Sequence, residues 1–240
     1  LDHPFERLLV DTAVAPDARQ ASWINPRLKP GERRKVLTGI PGKTGVVYTL
    51  DRETGEYLWA TPTVRQNVIG NIDGATGQVA VNPETIFTAA GQERFVCPTM
   101  TGGKNWQAGA YSPLTNAMYF PLQNTCAQAT SLADKPSLDS LYAIKTTNQI
   151  APGTDKVGTI HAISVETGAT LWKYEQRAGT TSLVATGGGL LFGGDAAGRF
   201  RAFDQQTGKV LWEVNLGSQV TGYPVTYAAG GRLFVAGSTG

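Results

Sequence analysis

One segment occurs three times in the chain, and its repetition constrains the fold more than any other feature. The copies are GVVYTLDRETGEYLW (Gly45–Trp59), GTIHAISVETGATLW (Gly158–Trp172) and GRFRAFDQQTGKVLW (Gly198–Trp212). Each copy carries Thr-Gly four residues ahead of a Leu-Trp pair, and the three tryptophans lie 113 and 40 residues apart. A period of about 40 residues is typical of one four-stranded blade of a β-propeller.

The first copy shows why this segment should form a hairpin. Val46–Leu50 predicts a short strand, Asp51–Gly55 a turn, and Glu56–Trp59 the returning strand. Aspartate at the start of a turn can accept hydrogen bonds from the backbone ahead of it, and glycine at the end accepts a left-handed conformation. The tryptophan then lies on an outer strand, where its ring can pack against the next blade. Three unrelated hairpins would not be expected to share this spacing.

Composition agrees with an all-β protein and excludes some functions. The 240 residues include 29 glycines, as expected for a turn-rich chain. A net charge of +2, with 17% charged residues and no cluster of Lys or Arg, argues against nucleic-acid binding. No apolar run approaches the roughly 20 residues that a membrane-spanning helix needs.

The end of the chain predicts an unfinished blade. The last copy is followed by GYPVTYAAGGRLFVAGSTG, which supplies two inner strands and no outer hairpin. An unfinished blade leaves an open sheet edge that invites pairing with other chains. We therefore expect residues 1–240 to form one partial propeller domain that is incomplete at both ends.

The long interval between the first two copies requires an explanation. Residues 60–96 lack the repeat and predict an excursion between blades. Residues 97–126 predict a degenerate blade of their own, in which Ser112–Asn116 replaces the usual turn. A polar insertion over residues 127–156 would then account for the remaining length, and the blades become regular from Val157 onward.

The two cysteines, Cys97 and Cys126, bracket the degenerate stretch. Neither belongs to a CxxC motif or to a Cys/His spacing typical of a metal site. The residues alone leave a disulfide and two buried thiols equally open. A disulfide would close a loop of about 30 residues and add roughly 3 kcal/mol of stability in the chain-entropy model.

Three sequence features together resemble the pyrroloquinoline-quinone (PQQ) dependent dehydrogenases. They are blades that end in D-x-x-T-G-x-x-L-W, the segment GKTGVVYTLDRETG, and the segment GGKNWQAGAYSP. That family consists of eight-bladed propellers that oxidise alcohols or sugars in the periplasm. The resemblance covers nearly the whole chain and implies about half of such a propeller, in its C-terminal part. The repeat alone is less specific, because scaffold propellers without a cofactor carry it too.

The resemblance assigns cofactor-binding roles to Lys43, Asn105 and Trp106. Lys43 matches the family's Lys or Arg that reaches the ortho-quinone oxygens of PQQ, where a cation polarises the carbonyl and stabilises developing charge. Asn105 and Trp106 match an Asn-Trp pair whose amide can donate to a carboxylate or quinone oxygen. Without the resemblance, Lys43 would be interpreted as a solvated turn residue and Trp106 as another tryptophan that packs between blades.

The resemblance also concerns the cysteines, the general base and the metal. Cys97 and Cys126 match a pair that the family joins as a disulfide, which implies an oxidising compartment. The family's catalytic Asp corresponds to a position just upstream of Leu1, and Asp2 is a weaker candidate for that base. The family's Ca²⁺ ligands also correspond to upstream positions, and residues 1–240 hold no match to them.

The implied function is that of a quinoprotein dehydrogenase fragment that is inactive on its own. The parent enzyme would transfer hydride from a primary or secondary alcohol, or a sugar, to PQQ with Ca²⁺ as Lewis acid. Electrons would pass to cytochrome c or ubiquinone, and the enzyme would be periplasmic, either free or membrane-associated. The alternatives are a non-catalytic scaffold propeller of the outer-membrane assembly type and a carbohydrate-binding propeller that uses an exposed Trp23.

Overall fold

The computed structural model describes residues 5–136 and 142–240, which consist almost entirely of β-strands and turns. The first five strands are β1 (Leu8–Val14), β2 (Trp23–Ile24), β3 (Glu32–Gly39), β4 (Val46–Asp51) and β5 (Tyr57–Pro62). They are followed by β6 (Ile69–Ile72), β7 (Val79–Val81), a 3₁₀ helix (Pro83–Thr85), β8 (Glu93–Val96), β9 (Ala110–Ser112) and β10 (Ala117–Gln123). Next come β11 (Thr125–Ser131), β12 (Ile144–Ile150), β13 (Gly158–Ser164), β14 (Thr170–Gln176) and β15 (Thr180–Ala185). The last strands are β16 (Leu190–Asp195), β17 (Arg199–Asp204), β18 (Val210–Asn215), β19 (Val220–Ala229) and β20 (Arg232–Thr239).

These strands form a partial β-propeller, as the repeats predict. Blade I has the strand order β1-β3-β4-β5-β2, blade II the order β9-β10-β13-β14, and blade III the order β15-β16-β17-β18. The β19–β20 hairpin packs against β15 and β16 and begins a fourth blade. Two smaller sheets, β6-β7 and β12-β11-β8, are formed by strands that belong to none of these blades. The described residues contain no helix long and apolar enough to cross a membrane.

The prediction that residues 97–126 form a separate blade is wrong. The strands β9 and β10 lie there, but β10 pairs with β13 from Gln123↔Gly158 to Ala117↔Ser164. They are therefore the inner strands of the blade whose outer hairpin is the second tryptophan repeat. The first and second repeats lie on adjacent blades, and the 113-residue interval contains the β6-β7 and β8-β11-β12 excursions rather than an extra blade.

The turn of each repeat forms as its residues predict. In the first copy, Asp51 Oδ1 accepts hydrogen bonds from the backbone N–H of Glu53 (2.9 Å) and Thr54 (3.0 Å). Gly55 then has a φ of +76°, in the left-handed region that glycine tolerates best. The third copy repeats the arrangement, with Asp204 Oδ1 accepting from Gln206 and Thr207.

The core lies between neighbouring blades. One cluster joins blades I and II and includes Trp59, Met118, Phe120 and Ile163, and a second joins blades II and III around Trp172. Because this apolar surface is shared by two blades, each blade depends on its neighbour for burial. Trp23 is half-buried and donates its indole N–H to Asn71 Oδ1 (3.1 Å), so the exposed Trp23 expected for a carbohydrate-binding surface is not present.

Candidate functional site

Three loop segments meet at one end of blades I and II, and we call this surface the loop face. It consists of residues 5–7, 40–45 and 97–109. Because β3 is antiparallel to β1 and β4, it ends at the side where both of these strands begin, which brings residues 5–7 beside the β3–β4 loop. A hydrogen bond from Phe5 N to Pro41 O (3.2 Å) joins the two segments.

Lys43 lies in the β3–β4 loop and contacts the loop that precedes β9. The backbone N–H of Gly103 donates to Lys43 O (2.9 Å). A Cβ on Gly102, whose φ is +89°, would lie 2.8 Å from both Cβ and Cγ of Lys43. Glycine at position 102 therefore allows the half-buried Lys43 side chain to lie directly against the loop that carries Asn105 and Trp106.

Asn105 and Trp106 lie next to each other on this second loop. Asn105 Nδ2 donates to Thr101 O (2.6 Å), and Asn105 Oδ1 accepts from the backbone N–H of Trp106 (2.8 Å). A side-chain amide carries two N–H donors, so Asn105 retains a second one for a ligand. The indole of Trp106 is 50% exposed and makes an edge-on contact with Tyr223, with ring centroids 6.0 Å apart. Trp106 is thus not buried between blades.

Lys104 lies between Gly103 and Asn105 in the segment GGKNWQAGAYSP, and nothing in that segment predicts that its side chain is buried. Its side chain is fully buried and forms an ion pair with Glu6, with Nζ 3.0 Å from Oε1. Burial lowers the pKa of Lys104, and the charge of Glu6 partly offsets that effect. Sequence reasoning missed the pair because Glu6 lies 98 residues away along the chain.

The cysteines are joined at the base of the second loop. Cys97 and Cys126 form a disulfide, and both are buried against Ala151. Cys97 is also held by the segment that leads into β6, because its backbone N–H donates to Asn67 Oδ1 (2.8 Å). The disulfide therefore ties the start of the loop that carries Asn105 to strand β11.

A largely apolar cavity of about 310 Å³ adjoins Lys43. Its wall includes Val68, Val96, Pro98 and Met100, with Thr99 as one of the few polar groups. The cavity lies between the β3–β4 loop and the excursion sheets, so a molecule bound there would contact the Lys43 side chain and mainly hydrocarbon.

The loop face fits an anionic, planar ligand in its chemistry. It offers a cation at Lys43, an amide donor at Asn105 and an exposed indole at Trp106, on two loops that touch through Gly102 and Gly103. PQQ bears three carboxylates and an ortho-quinone, for which a cation and amide donors are suitable partners. Asp2, the weaker candidate for the general base, lies outside the described residues. Within residues 5–136 and 142–240, no group of three or more His, Cys, Asp or Glu side chains is arranged to hold a metal ion.

Comparison with known proteins identifies the family. Residues 133–235 match the family model of the glucose/ethanol/alcohol dehydrogenase β-propeller domain, and residues 16–124 match the model of outer membrane protein assembly factor BamB. The chain is 32% identical over 223 residues to the dehydrogenase subunit of a quinone alcohol dehydrogenase from Komagataeibacter europaeus. This match covers 88% of the chain and 30% of the relative.

Methanol dehydrogenase [cytochrome c] subunit 1 from Methylobacterium organophilum is also 32% identical, over 87% of the chain and 34% of that protein. The solved structure of a europium-containing methanol dehydrogenase superposes with a TM-score of 0.81 and 28% identity, covering 96% of the chain and 38% of that structure. The chain belongs to the PQQ-dependent alcohol dehydrogenase family. The chain spans about a third of the length of the curated relatives that it matches.

Proposed function

We propose that this chain is part of a PQQ-dependent dehydrogenase that oxidises a primary or secondary alcohol, or a sugar. The observation that carries the proposal is the contact of Lys43 with the loop of Asn105 and Trp106 through Gly102. Two segments that are 60 residues apart in sequence thereby place a cation, an amide and an indole on one face. A scaffold propeller would have no need for this combination.

Lys43 would hold the quinone end of the cofactor. Bound PQQ would supply the electrophilic quinone carbon that accepts hydride from the alcohol. A lysine ammonium beside the quinone oxygens stabilises the negative charge that develops there, and its packing on Gly102 restricts its position. Asn105 would donate its second amide N–H to a carboxylate or quinone oxygen, and Trp106 would cover the cofactor from the solvent side.

The general base and the metal ligands would be supplied by residues outside the described ranges. The general base is expected immediately upstream of Leu1 or at Asp2, and Ca²⁺ would be bound by upstream residues as the Lewis acid. Electrons would pass to cytochrome c or ubiquinone, and the protein would be periplasmic, either free or membrane-associated. One solved relative is named for europium, so the bound metal should be tested rather than assumed.

The apolar cavity beside Lys43 favours alcohols with a hydrocarbon chain as the substrates to test first. About 310 Å³ exceeds what methanol requires, and its wall offers few hydrogen-bond partners for a sugar. Sugars remain in the proposal because the substrate pocket can include residues from the rest of the protein.

The test is reconstitution of the full-length protein with PQQ. The apoprotein is incubated with PQQ and Ca²⁺, or with PQQ and a lanthanide ion, and assayed with ethanol, longer 1-alkanols and glucose with an artificial dye acceptor. The proposal predicts dye reduction that requires PQQ, a metal and an alcohol or sugar together. Failure of every combination, with a correctly folded protein, would contradict it.

The match of residues 16–124 to the BamB model supports the scaffold function as the second candidate. A scaffold would tolerate any residue at positions 43 and 105, and it would not bind PQQ. The same reconstitution separates the two functions, because only the dehydrogenase would change the absorption spectrum of added PQQ.

A further inference from the structure

The ammonium group of Lys104 is enclosed by oxygen atoms. Lys104 Nζ lies 3.0 Å from Glu6 Oε1 and 3.1 Å from Glu6 Oε2, and it donates to the carbonyls of Asn105 (2.9 Å) and Gln107 (2.6 Å). The ring centroid of Phe5 is 5.0 Å from the same nitrogen. A buried lysine requires such partners, because an ammonium group without them would be strongly disfavoured.

These contacts fix the backbone of the second loop at three points. Lys104 holds the carbonyls of Asn105 and Gln107, and the backbone N–H of Gly109 donates to Glu6 Oε1 (2.8 Å). The segment from residue 105 to residue 109 is therefore attached to Glu6 both directly and through the lysine. Two of the candidate cofactor residues, Asn105 and Trp106, lie within this segment.

Stability alone does not explain an ion pair in this place. Burying a lysine and a carboxylate costs desolvation energy, and a well-packed apolar pair of similar volume is often as stabilising or more so. What the charged pair adds is a set of strong hydrogen bonds, because the ammonium group donates to Glu6 and to two loop carbonyls at the same time. Apolar side chains would fill the space without fixing those carbonyls.

We propose that Lys104, held by Glu6, is a positioning residue for the cofactor loop, which orients Asn105 and Trp106 toward PQQ. This inference rests on the proposed function, because it concerns the affinity of the same site. Because the Lys104 side chain is fully buried, it would act through the backbone of residues 105–109 rather than by contact with the cofactor. The pair also links that loop to residue 6, which is close along the chain to the position where the general base is expected.

The test is a PQQ titration of the full-length apoprotein, followed by quenching of tryptophan fluorescence and by the absorption of PQQ. The variants are Lys104→Met, which keeps the length of the side chain without its charge, and Glu6→Gln, which keeps its shape. Arg201→Met is the matched control, because Arg201 forms a buried ion pair with Asp195 (2.7 Å) in blade III. Thermal unfolding is recorded for each protein, and titrations are made well below the lowest midpoint.

We expect Lys104→Met and Glu6→Gln to weaken PQQ binding about tenfold or more, and Arg201→Met to leave it within about twofold. A purely structural pair would lower the unfolding midpoint but leave the affinity of the folded protein unchanged, and that result would overturn the inference. If Lys104→Met does not fold, Glu6→Gln decides, because Glu6 is partly exposed and its replacement is milder. Wild-type protein that binds no PQQ would instead contradict the proposed function.

Discussion

The indole ring of Trp172 lies directly against the backbone of Gly208 in the next blade. A Cβ on Gly208 would be 2.5 Å from Trp172 Cε3, and Trp172 Nε1 donates to Gln205 O (2.9 Å) in the same turn. Trp59 has the equivalent relationship with Gly168, where a Cβ would be 2.9 Å from Cζ3. The tryptophans of the first two repeats therefore pack on the Thr-Gly turn of the repeat that follows.

This contact predicts that substitution by alanine lowers the unfolding free energy by different amounts at three equivalent glycines. Gly55, Gly168 and Gly208 occupy the same turn position with φ of +76°, +71° and +71°, but nothing lies within 4 Å of a Cβ on Gly55. Alanine at any of them should cost about 1 kcal/mol of unfolding free energy for its left-handed backbone. At Gly168 and Gly208 the displaced indole should add roughly 1–3 kcal/mol. Urea unfolding of the 240-residue chain measures the difference.

Gly55→Ala is thus the matched control for the other two variants. Equal losses of stability in all three would mean that the tryptophan contacts do not contribute to the fit between blades. A larger loss in Gly55→Ala than in Gly208→Ala would contradict the arrangement outright.

His161 predicts a specific loss of stability in acid. It is 2% exposed on β13, and burial, with a smaller contribution from Lys173, lowers its pKa to about 3 from 6.5. The unfolded chain therefore binds a proton that the folded chain does not as the pH falls from 6.5 toward 3. Between pH 7 and pH 4.5 this residue should remove roughly 2–3 kcal/mol of unfolding free energy.

The variant His161→Leu separates this effect from the titration of carboxylates. Leucine cannot take up the proton, so the variant should lose less stability than the parent chain between pH 7 and pH 4.5, measured by urea unfolding. The same pH dependence in both proteins would show that His161 does not titrate as its burial implies.

The disulfide between Cys97 and Cys126 should stabilise the loop that leads to Asn105. Reduction reopens a loop whose ends are 29 residues apart and should lower the unfolding free energy by about 3 kcal/mol. Urea unfolding with and without dithiothreitol measures the change. The double variant Cys97→Ala, Cys126→Ala is the control, and its stability should be indifferent to the reductant. A parent chain that is equally indifferent would contradict the prediction.

The sequence predicts the fold where the relevant residues are close together in the chain. Each tryptophan repeat is a hairpin within 15 residues, so turn chemistry and strand alternation are visible at once. The local pattern does not reveal the inner strands of blade II, because β10 pairs with β13 across an interval that contains strands of another sheet. Strand β11 follows β10 directly, and no local pattern shows that β10 pairs with β13 instead.

What the sequence shows of the candidate site is limited in the same way, and the cofactor-binding role of its residues remains a prediction. Lys43, Asn105 and Trp106 lie in short segments that resemble the family, and the structure places their loops in contact. Lys104 in GGKNW has the sequence context of a solvated loop lysine, yet it is fully buried. Its burial depends on Glu6, which only the meeting of residues 5–7 with the second loop brings near.

The central claim is that Lys43 on this face binds PQQ, and equilibrium titration of full-length apoprotein with PQQ tests it most directly. The wild type should bind one PQQ, and Lys43→Ala should lose roughly 2 kcal/mol of binding free energy, or about 30-fold in affinity. Replacing the exposed Lys29 by alanine should have no effect. Binding of PQQ with equal affinity by wild type and Lys43→Ala, or no binding by either, would contradict the account.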